Sequence, residues 1–321
     1  MGTNCSYLSK LHVFIRTPHQ PIVQSDSGES NVELVSVGNE LLSGTITNTN
    51  AQWISSKITR AGGLVKRITT VGDCIVEISH AVKECIARRP RWLIISGGLG
   101  PTYDDRTLQG LSTALGQELV LDARAVQLLR KSQSLIRRCV ESDIQLNDAQ
   151  LKMAKIPKGS TPIQNPVGSA PAVFVSVRKE KTKTKTRIFC LPGVPKEMKA
   201  IFSTVIMPQF KEAVGRYYVV ESVFETVGVT ESMLAPTLSR LVNSYPANDI
   251  YLKTHPKGYG YKMNVSRNIK IKSKLNIQIV SKGKDKLQVE ARYNTILEAL
   301  KEEIHKLDGK IRLTSAQKRI L

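Results

Sequence analysis

Leu93-Ile94-Ile95-Ser96-Gly97-Gly98-Leu99-Gly100-Pro101-Thr102-Tyr103-Asp104-Asp105-Arg106-Thr107 joins an apolar β-type run to a glycine-rich turn. Two adjacent carboxylates then stand where a helix should begin. Glycine lets backbone amides approach an anion closely, and a helix N-terminus adds a favourable dipole. Gly97, Gly98, Gly100 and Thr102 are therefore candidates to cradle a phosphate. Two carboxylates beside that cradle would repel a phosphate unless a divalent cation lay between them. The stretch points to metal-assisted phosphate chemistry rather than plain anion capture. It is not a P-loop, because no Gly-Lys-Ser/Thr follows, and Tyr103 breaks the GxGxxG pattern. The plainer alternative for Asp104 and Asp105 is a helix cap with acid in the first turn. One aspartate would suffice for a cap, so the pair favours a site.

Working outward, Val32–Gly38 reads as a strand, Asn48–Ala61 as a helix capped by Asn50, Leu64–Val71 as a strand and Ile75–Ala87 as an amphipathic helix. Arg91–Ser96 is a third strand, and a third helix is expected near Asp105 to Leu115. Strands alternating with helices through short connections predict a doubly wound, mostly parallel sheet. Ligands of such sheets bind beyond the carboxyl ends of the strands. Two more acids fall at such ends, Glu40 in Gly38–Gly44 and Asp73 in Val71-Gly72-Asp73. A helix cap is the competing reading of Asp73. If the sheet is parallel, the four acids gather on one edge and could hold one or two divalent ions.

Further along, helices are expected from Asp122 to about Glu141 and over Asn147–Ala154. A hairpin of Ala172–Val177 and Arg187–Leu191 follows, joined by a charged tip over 178–185. Asn165-Pro166-Val167-Gly168-Ser169-Ala170-Pro171 and Leu191-Pro192-Gly193-Val194-Pro195-Lys196-Glu197-Met198 are Gly/Pro loops able to present amides to a ligand. Asn165, Gly168, Ser169 and Gly193 join the candidate nucleotide-binding residues on this basis, and Asn48, at the start of the first helix, is a further candidate. Composition then shifts near Gly215. Residues 1–31 are expected to be a disordered or mis-assigned extension, 32–215 an α/β domain, 216–310 a small α+β domain and 311–321 a tail.

The 321 residues suit two domains, and 41% apolar content suffices for cores. No apolar run approaches a membrane span, and the N-terminus does not read as a signal peptide. Five scattered cysteines without CxxC suit a reducing cytoplasm and no structural zinc. Cys85 falls on a helical stripe with Ile78 and Val82, so a core role is expected. The formal charge is +20, and residues 251–321 carry 17 Lys and Arg against 6 Asp and Glu. Aromatics are only 5% and do not interleave with that charge, so a solvated basic face is preferred to nucleic-acid binding. Five dispersed histidines and the lack of G-x-S-x-G give no support to triad catalysis.

Together, Gly38–Gly44, Val71–Asp73, Gly97–Thr107, Asn165–Pro171 and Leu191–Met198 resemble, in order, the motifs of the CinA family. The likeness covers about Val32 to Gly215 through these motifs, and more loosely the small unit to about Leu307. It implies a molybdopterin-binding α/β domain of the MogA/MoeA type followed by a small KH-like module. It implies a metal-dependent nucleotide diphosphatase, hydrolysing ADP-ribose or a similar dinucleotide with Co²⁺, Mn²⁺ or Mg²⁺. By position it assigns Asp73 and Asp105 to acids functional in molybdopterin-binding relatives, and Asp104 and Glu40 to the CinA pattern. Arg106 would neutralise developing charge. Many relatives add a nicotinamide-mononucleotide deamidase domain, for which this chain leaves no room, so deamidation is not expected. Tyr103 replaces a usually small residue, Arg106 an apolar one, and Ser169 and Ala172 a Thr and a Gly. The alternative is a pterin- or nucleotide-binding protein that does not hydrolyse its ligand. A Gly-x-x-Gly clamp for nucleic acid is missing, since the nearest glycines, Gly258-Tyr259-Gly260, are too close. Homo-oligomerisation is left open.

Overall fold

The run Trp92–Ser96 is buried at every position, as expected of a strand covered on both faces. In the computed structural model, residues 30–138, 140–141, 144–178, 185–246, 249–261 and 271–320 are described. The first unit opens with β1 (Asn31–Val37), α1 (Asn39–Leu42), α2 (Thr49–Arg60), β2 (Leu64–Val71), α3 (Ile75–Arg88), β3 (Trp92–Ser96) and α4 (Thr107–Leu115). It continues with β4 (Leu119–Leu121), α5 (Ala123–Arg137), α6 (Asp148–Lys152), β5 (Lys155–Pro157), β6 (Thr161–Ile163), β7 (Ala172–Arg178) and β8 (Lys185–Leu191). It closes with α7 (Pro195–Ile201), which passes through a π-helical turn, Phe202–Ile206, into α8 (Met207–Val214).

The main sheet has the order β2-β1-β3-β8-β7-β6. β2, β1, β3 and β8 are parallel, and β7 and β6 complete the sheet antiparallel. Alternation along the strands divides the core in two. Val35, Val37, Leu93 and Ile95 pack with Ile78, Val82 and Cys85 of α3, Leu108 and Leu111 of α4, and Ala125 and Leu129 of α5. Val32, Leu34, Trp92 and Ile94 face the opposite way, towards Ala51, Ile54 and Ile58 of α2 and Met198, Ile201 and Phe210 on the α7–α8 side. Helices thus cover both faces, and Cys85 is core, its thiol pushed up to about 12 chiefly by burial. Buried Glu33 of β1 is paired with Arg88, whose Nη2 and Nε donate to its carboxylate at 2.8 and 2.9 Å.

Several expected boundaries move for local reasons. Asn48, not Asn50, caps α2, its side chain accepting from the Ala51 amide at 3.1 Å. α4 starts at Thr107 rather than Asp105, and α5 ends at Arg137, short of Glu141. The hairpin of β7 and β8 forms as expected, whereas its tip (179–184), Cys5 and Cys139 lie outside the described residues, as does the N-terminal extension up to residue 29.

The second unit runs β9 (Tyr218–Val227), α9 (Glu231–Asn243), β10 (Ile250–Tyr261), β11 (Ile271–Gly283), α10 (Lys286–Lys306) and β12 (Lys310–Ile320). Its antiparallel sheet has the order β10-β11-β9-β12. Phe224, Ile277 and Ile279 pack against Leu234 of α9 and Ile296, Leu300 and Ile304 of α10. This β-α-β-β-α-β order is the split-βαβ, ferredoxin-like arrangement, in place of the expected KH-like module. The expected tail is strand β12, which pairs along β9 from Lys310 with Val227 to Ile320 with Tyr218. Its mixture of Lys, Arg, Ser and Gln concealed it, because an edge strand favours such polar residues. Gly258–Gly260 falls within β10, not in a loop that could clamp nucleic acid.

Candidate functional site

Where β1, β2, β3 and β8 end, the chain turns through Gly38, Gly72, Gly97 and Pro192-Gly193. A cavity of about 540 Å³ opens there, lined by Gly38, Glu40, Asp73, Gly97, Gly98, Gly100, Asp104, Asp105, Ser169, Gly193 and Glu197, with Gln133 and Gln150. The order β2-β1-β3 places it at the point where the connections change direction, the usual ligand crevice of an open α/β sheet.

The glycine turn is built by conformation. Gly97 has φ +104° and Gly98 φ +64°, and a Cβ on Gly97 would lie 2.1 Å from the Val37 carbonyl oxygen. The Gly97 amide is already spent on the Leu191 carbonyl at 3.0 Å, and Thr107 Oγ1 donates to the Gly97 carbonyl at 2.7 Å. Gly97 therefore shapes the turn, while among the described residues the amides of Gly98, Leu99 and Gly100 have no internal acceptor. Three consecutive unspent amides at a strand end are suited to receive an anion.

The acids do not cap helices. The α4 cap is Arg106 and the α3 cap is Cys74, and neither makes a side-chain cap bond. Asp105 Oδ2 instead accepts from the Thr102 amide at 2.9 Å, and the Thr102 hydroxyl lies 2.6 Å from Asp105 Oδ2 and 2.5 Å from Asp104 Oδ1. That hydroxyl has one proton, which it donates to one carboxylate at a time or shares between the two, while the Thr102 amide separately holds Asp105. The hydroxyl's bond holds the Asp104 carboxyl below its usual range, helped by the Asp104 amide and the Lys152 and Arg106 cations against slight desolvation. Lys152 also donates to the Thr102 carbonyl. Asp73 Oδ2 accepts from the Asn39 amide at 2.9 Å, and Asn39 Oδ1 accepts from the Asp73 amide at 3.2 Å. This reciprocal pair ties the β1 turn to the β2 turn.

Among the described residues, no three His, Cys, Asp or Glu side chains converge as a metal cage. The four acids line one cavity, as the strand ends predict, but not one ion site. The Asp104–Asp105 pair fits a cation shared with ligand oxygens, since Mg²⁺ commonly takes one or two carboxylates plus substrate phosphates.

Five expected site residues have other work. Asn48 caps α2 and Thr102 orients the aspartates. Arg106 does not line the cavity, and its Nε donates to the Tyr103 carbonyl at 3.1 Å. Gly168 gives its amide to Asn165 Oδ1 at 2.9 Å. Asn165 is buried and accepts also from the Val167 amide, donating to the Ala170 carbonyl at 2.9 Å and to Glu197 Oε2 at 2.7 Å. Ser169 does line the cavity, its hydroxyl accepting from Gln133 Nε2 at 2.9 Å, and the Gly193 carbonyl accepts from Asn50 Nδ2 at 2.7 Å. Glu197, Gln133 and Gln150 are cavity residues that the sequence does not point to. Glu197 falls in the Leu191–Met198 loop and reads as first-turn acid; Gln133 and Gln150 belong to helices whose docking no local pattern announces.

Residues 33–212 match the family model described as a probable molybdopterin binding domain. A Sulfurisphaera tokodaii protein is 39% identical over 279 residues, covering 87% of this chain and 97% of its own length. A Pyrococcus furiosus protein is 41% identical over 231 residues, 71% of this chain and 86% of its own. Among solved structures, the protein CinA of unknown function from Thermoplasma acidophilum is 36% identical with a TM-score of 0.50, covering 58% of this chain and 99% of that one. No helix among the described residues is long and apolar enough to cross a membrane.

Proposed function

The chain belongs to the probable molybdopterin binding domain family in its CinA-like form, and from that premise we propose that it hydrolyses the diphosphate of ADP-ribose or a related dinucleotide with a divalent metal. One observation carries the reading: unspent amides at Gly98, Leu99 and Gly100 share a cavity with the Asp104–Asp105 pair. The amides would donate to diphosphate oxygens, and Thr102 holds both aspartates in place. A cation held by Asp104, Asp105 and the diphosphate would polarise the phosphorus and lower the pKa of a water. Asp105 Oδ1, which has no hydrogen-bond donor among the described residues, would take the proton from an attacking water.

The test is release of AMP from ADP-ribose by purified protein with Mg²⁺, Mn²⁺ or Co²⁺. Asp105→Asn should lower turnover at least ~100-fold, at the lower end of the effect of positioned acid–base groups. No turnover with any of the metals would sink the hydrolase reading. A second reading is supported by the acids' failure to converge: the same cavity could hold a pterin or nucleotide without cleaving it. Thermal stabilisation by the nucleotide, with no product formed, would favour that reading.

A further inference from the structure

We propose that Glu197 reads the ribose hydroxyls of a nucleoside diphosphate, with Asn165 as its positioning residue; this rests on the nucleotide reading above. Glu197 lines the same cavity as the amide cradle. Its Oε2 accepts a 2.7 Å hydrogen bond from Asn165 Nδ2, so the partner is a neutral amide, and among the described residues no cation pairs with it. Asn165 is itself fixed: both its side-chain protons are donated and its Oδ1 accepts twice. Gly168 lets the carboxylate lie where it does, since a Cβ there would fall 2.1 Å from Glu197 Cδ. The carboxylate is therefore held in one place, with the first turn of α7 and a neutral amide against it and no cation paired with it among the described residues.

An ionised carboxylate only accepts hydrogen bonds, and one amide proton leaves most of its capacity unused. Phosphate cannot meet it, and the cradle at Gly98–Gly100 already suits phosphate. Among the described residues, no triad of metal-ligating side chains includes it. The part of a nucleotide that presents donors close to its diphosphate is the vicinal diol of the ribose, which acidic side chains read in other nucleotide sites.

The experiment is calorimetric titration, with Mg²⁺ present, of ADP and 2′,3′-dideoxy-ADP into wild type, Glu197→Gln and Glu197→Ala. Wild type should prefer ADP by about tenfold or more, as hydrogen bonds to a charged group imply. Glu197→Gln keeps an acceptor for Asn165 and should cut that preference to about threefold or less, and Glu197→Ala should abolish it. Removing the Glu197 charge raises the affinity of both anionic ligands together, so the ratio of ADP to dideoxy-ADP affinity is the readout. Equal binding of the two ligands by wild type, or an undiminished preference in Glu197→Gln, overturns the assignment to Glu197 while leaving the nucleotide site standing. Failure of wild type to bind ADP at all overturns the nucleotide reading beneath it. If Glu197→Ala does not fold, the Glu197→Gln ratio decides.

Discussion

Gly97→Ala tests whether the glycine turn is built by backbone shape. Two costs arise at this position. A φ of +104° is a conformation that L-residues with a Cβ rarely adopt, and holding one there costs about 1–3 kcal/mol. The new Cβ would also meet the Val37 carbonyl oxygen at 2.1 Å, and a backbone atom held in the ladder of β1 with β2 cannot swing aside; overpacking of this kind costs about 1–3 kcal/mol. Together they predict a loss of about 2–6 kcal/mol, which for a unit of this size means a melting midpoint lower by at least about 4 °C. Gly44→Ala is the control. Gly44 has φ +73° with nothing within 4 Å of its Cβ position, so it carries only the conformational penalty, about 1–2 kcal/mol. Urea unfolding of both variants, followed by Trp53 and Trp92 fluorescence, separates the clash from the conformation. If Gly97→Ala melts no lower than Gly44→Ala and binds nucleotide as wild type does, the close approach to Val37 is not what shapes the turn.

Arg88→Met leaves the Glu33 carboxylate buried without its partner, so urea unfolding should show a loss of about 3–5 kcal/mol; adding Glu33→Leu should restore much of it. A double variant no more stable than Arg88→Met would argue against the pair. Asp104 is held below its ordinary 3.8 first by the Thr102 hydroxyl. A carboxyl depressed in this way stabilises the folded site above its unfolded value and loses that contribution as pH falls through the folded one. Carbon-detected NMR titration should therefore find Asp104 still ionised at pH 3.8, with Thr102→Val moving it back towards that value; a wild-type Asp104 titrating at or above 3.8 refutes the assignment.

The doubly wound sheet was readable because its signals are local. Alternation of Val32, Leu34 and Trp92 with Val35, Leu93 and Ile95 divides the two faces, and glycines stop the strands. Strand β12 was not readable, since Lys310–Ile320 mixes charge and polarity and becomes a strand only by pairing with β9. The same contrast holds within the site. Gly98 and Gly100 could be recognised from a run of glycines after an apolar strand. Asn165 could be suspected, but its role as the clamp on Glu197 could not. That role depends on the loop before β7 meeting the helix after β8, across 32 residues of sequence.

The acids show most clearly where a sequence pattern reaches its limit. Placement at strand ends correctly brought Glu40, Asp73, Asp104 and Asp105 to one edge. It could not give the order β2-β1-β3, in which β1 separates the strand before Asp73 from the strand before Asp105. Two strand spacings put those ends roughly 10 Å apart. Oxygens sharing one Mg²⁺ or Ca²⁺ ion must each lie within about 2.6 Å of it. Side chains leaning inward from such a spacing must bridge most of the gap, and here they are held elsewhere. Asp73 is bound to the Asn39 amide, and Asp104 and Asp105 are gathered at Thr102. The strand order therefore turns four acids expected to hold one or two ions into a close pair, Asp104 and Asp105, with Asp73 and Glu40 elsewhere on the cavity wall. A cation at this pair takes its remaining oxygens from water or from the ligand, and where it bridges to the diphosphate, metal and nucleotide bind cooperatively. Titrating Mn²⁺ with and without ADP would show this as an affinity gain of about tenfold or more, and equal Mn²⁺ affinity in the two titrations would mean that the cation does not bridge to the diphosphate.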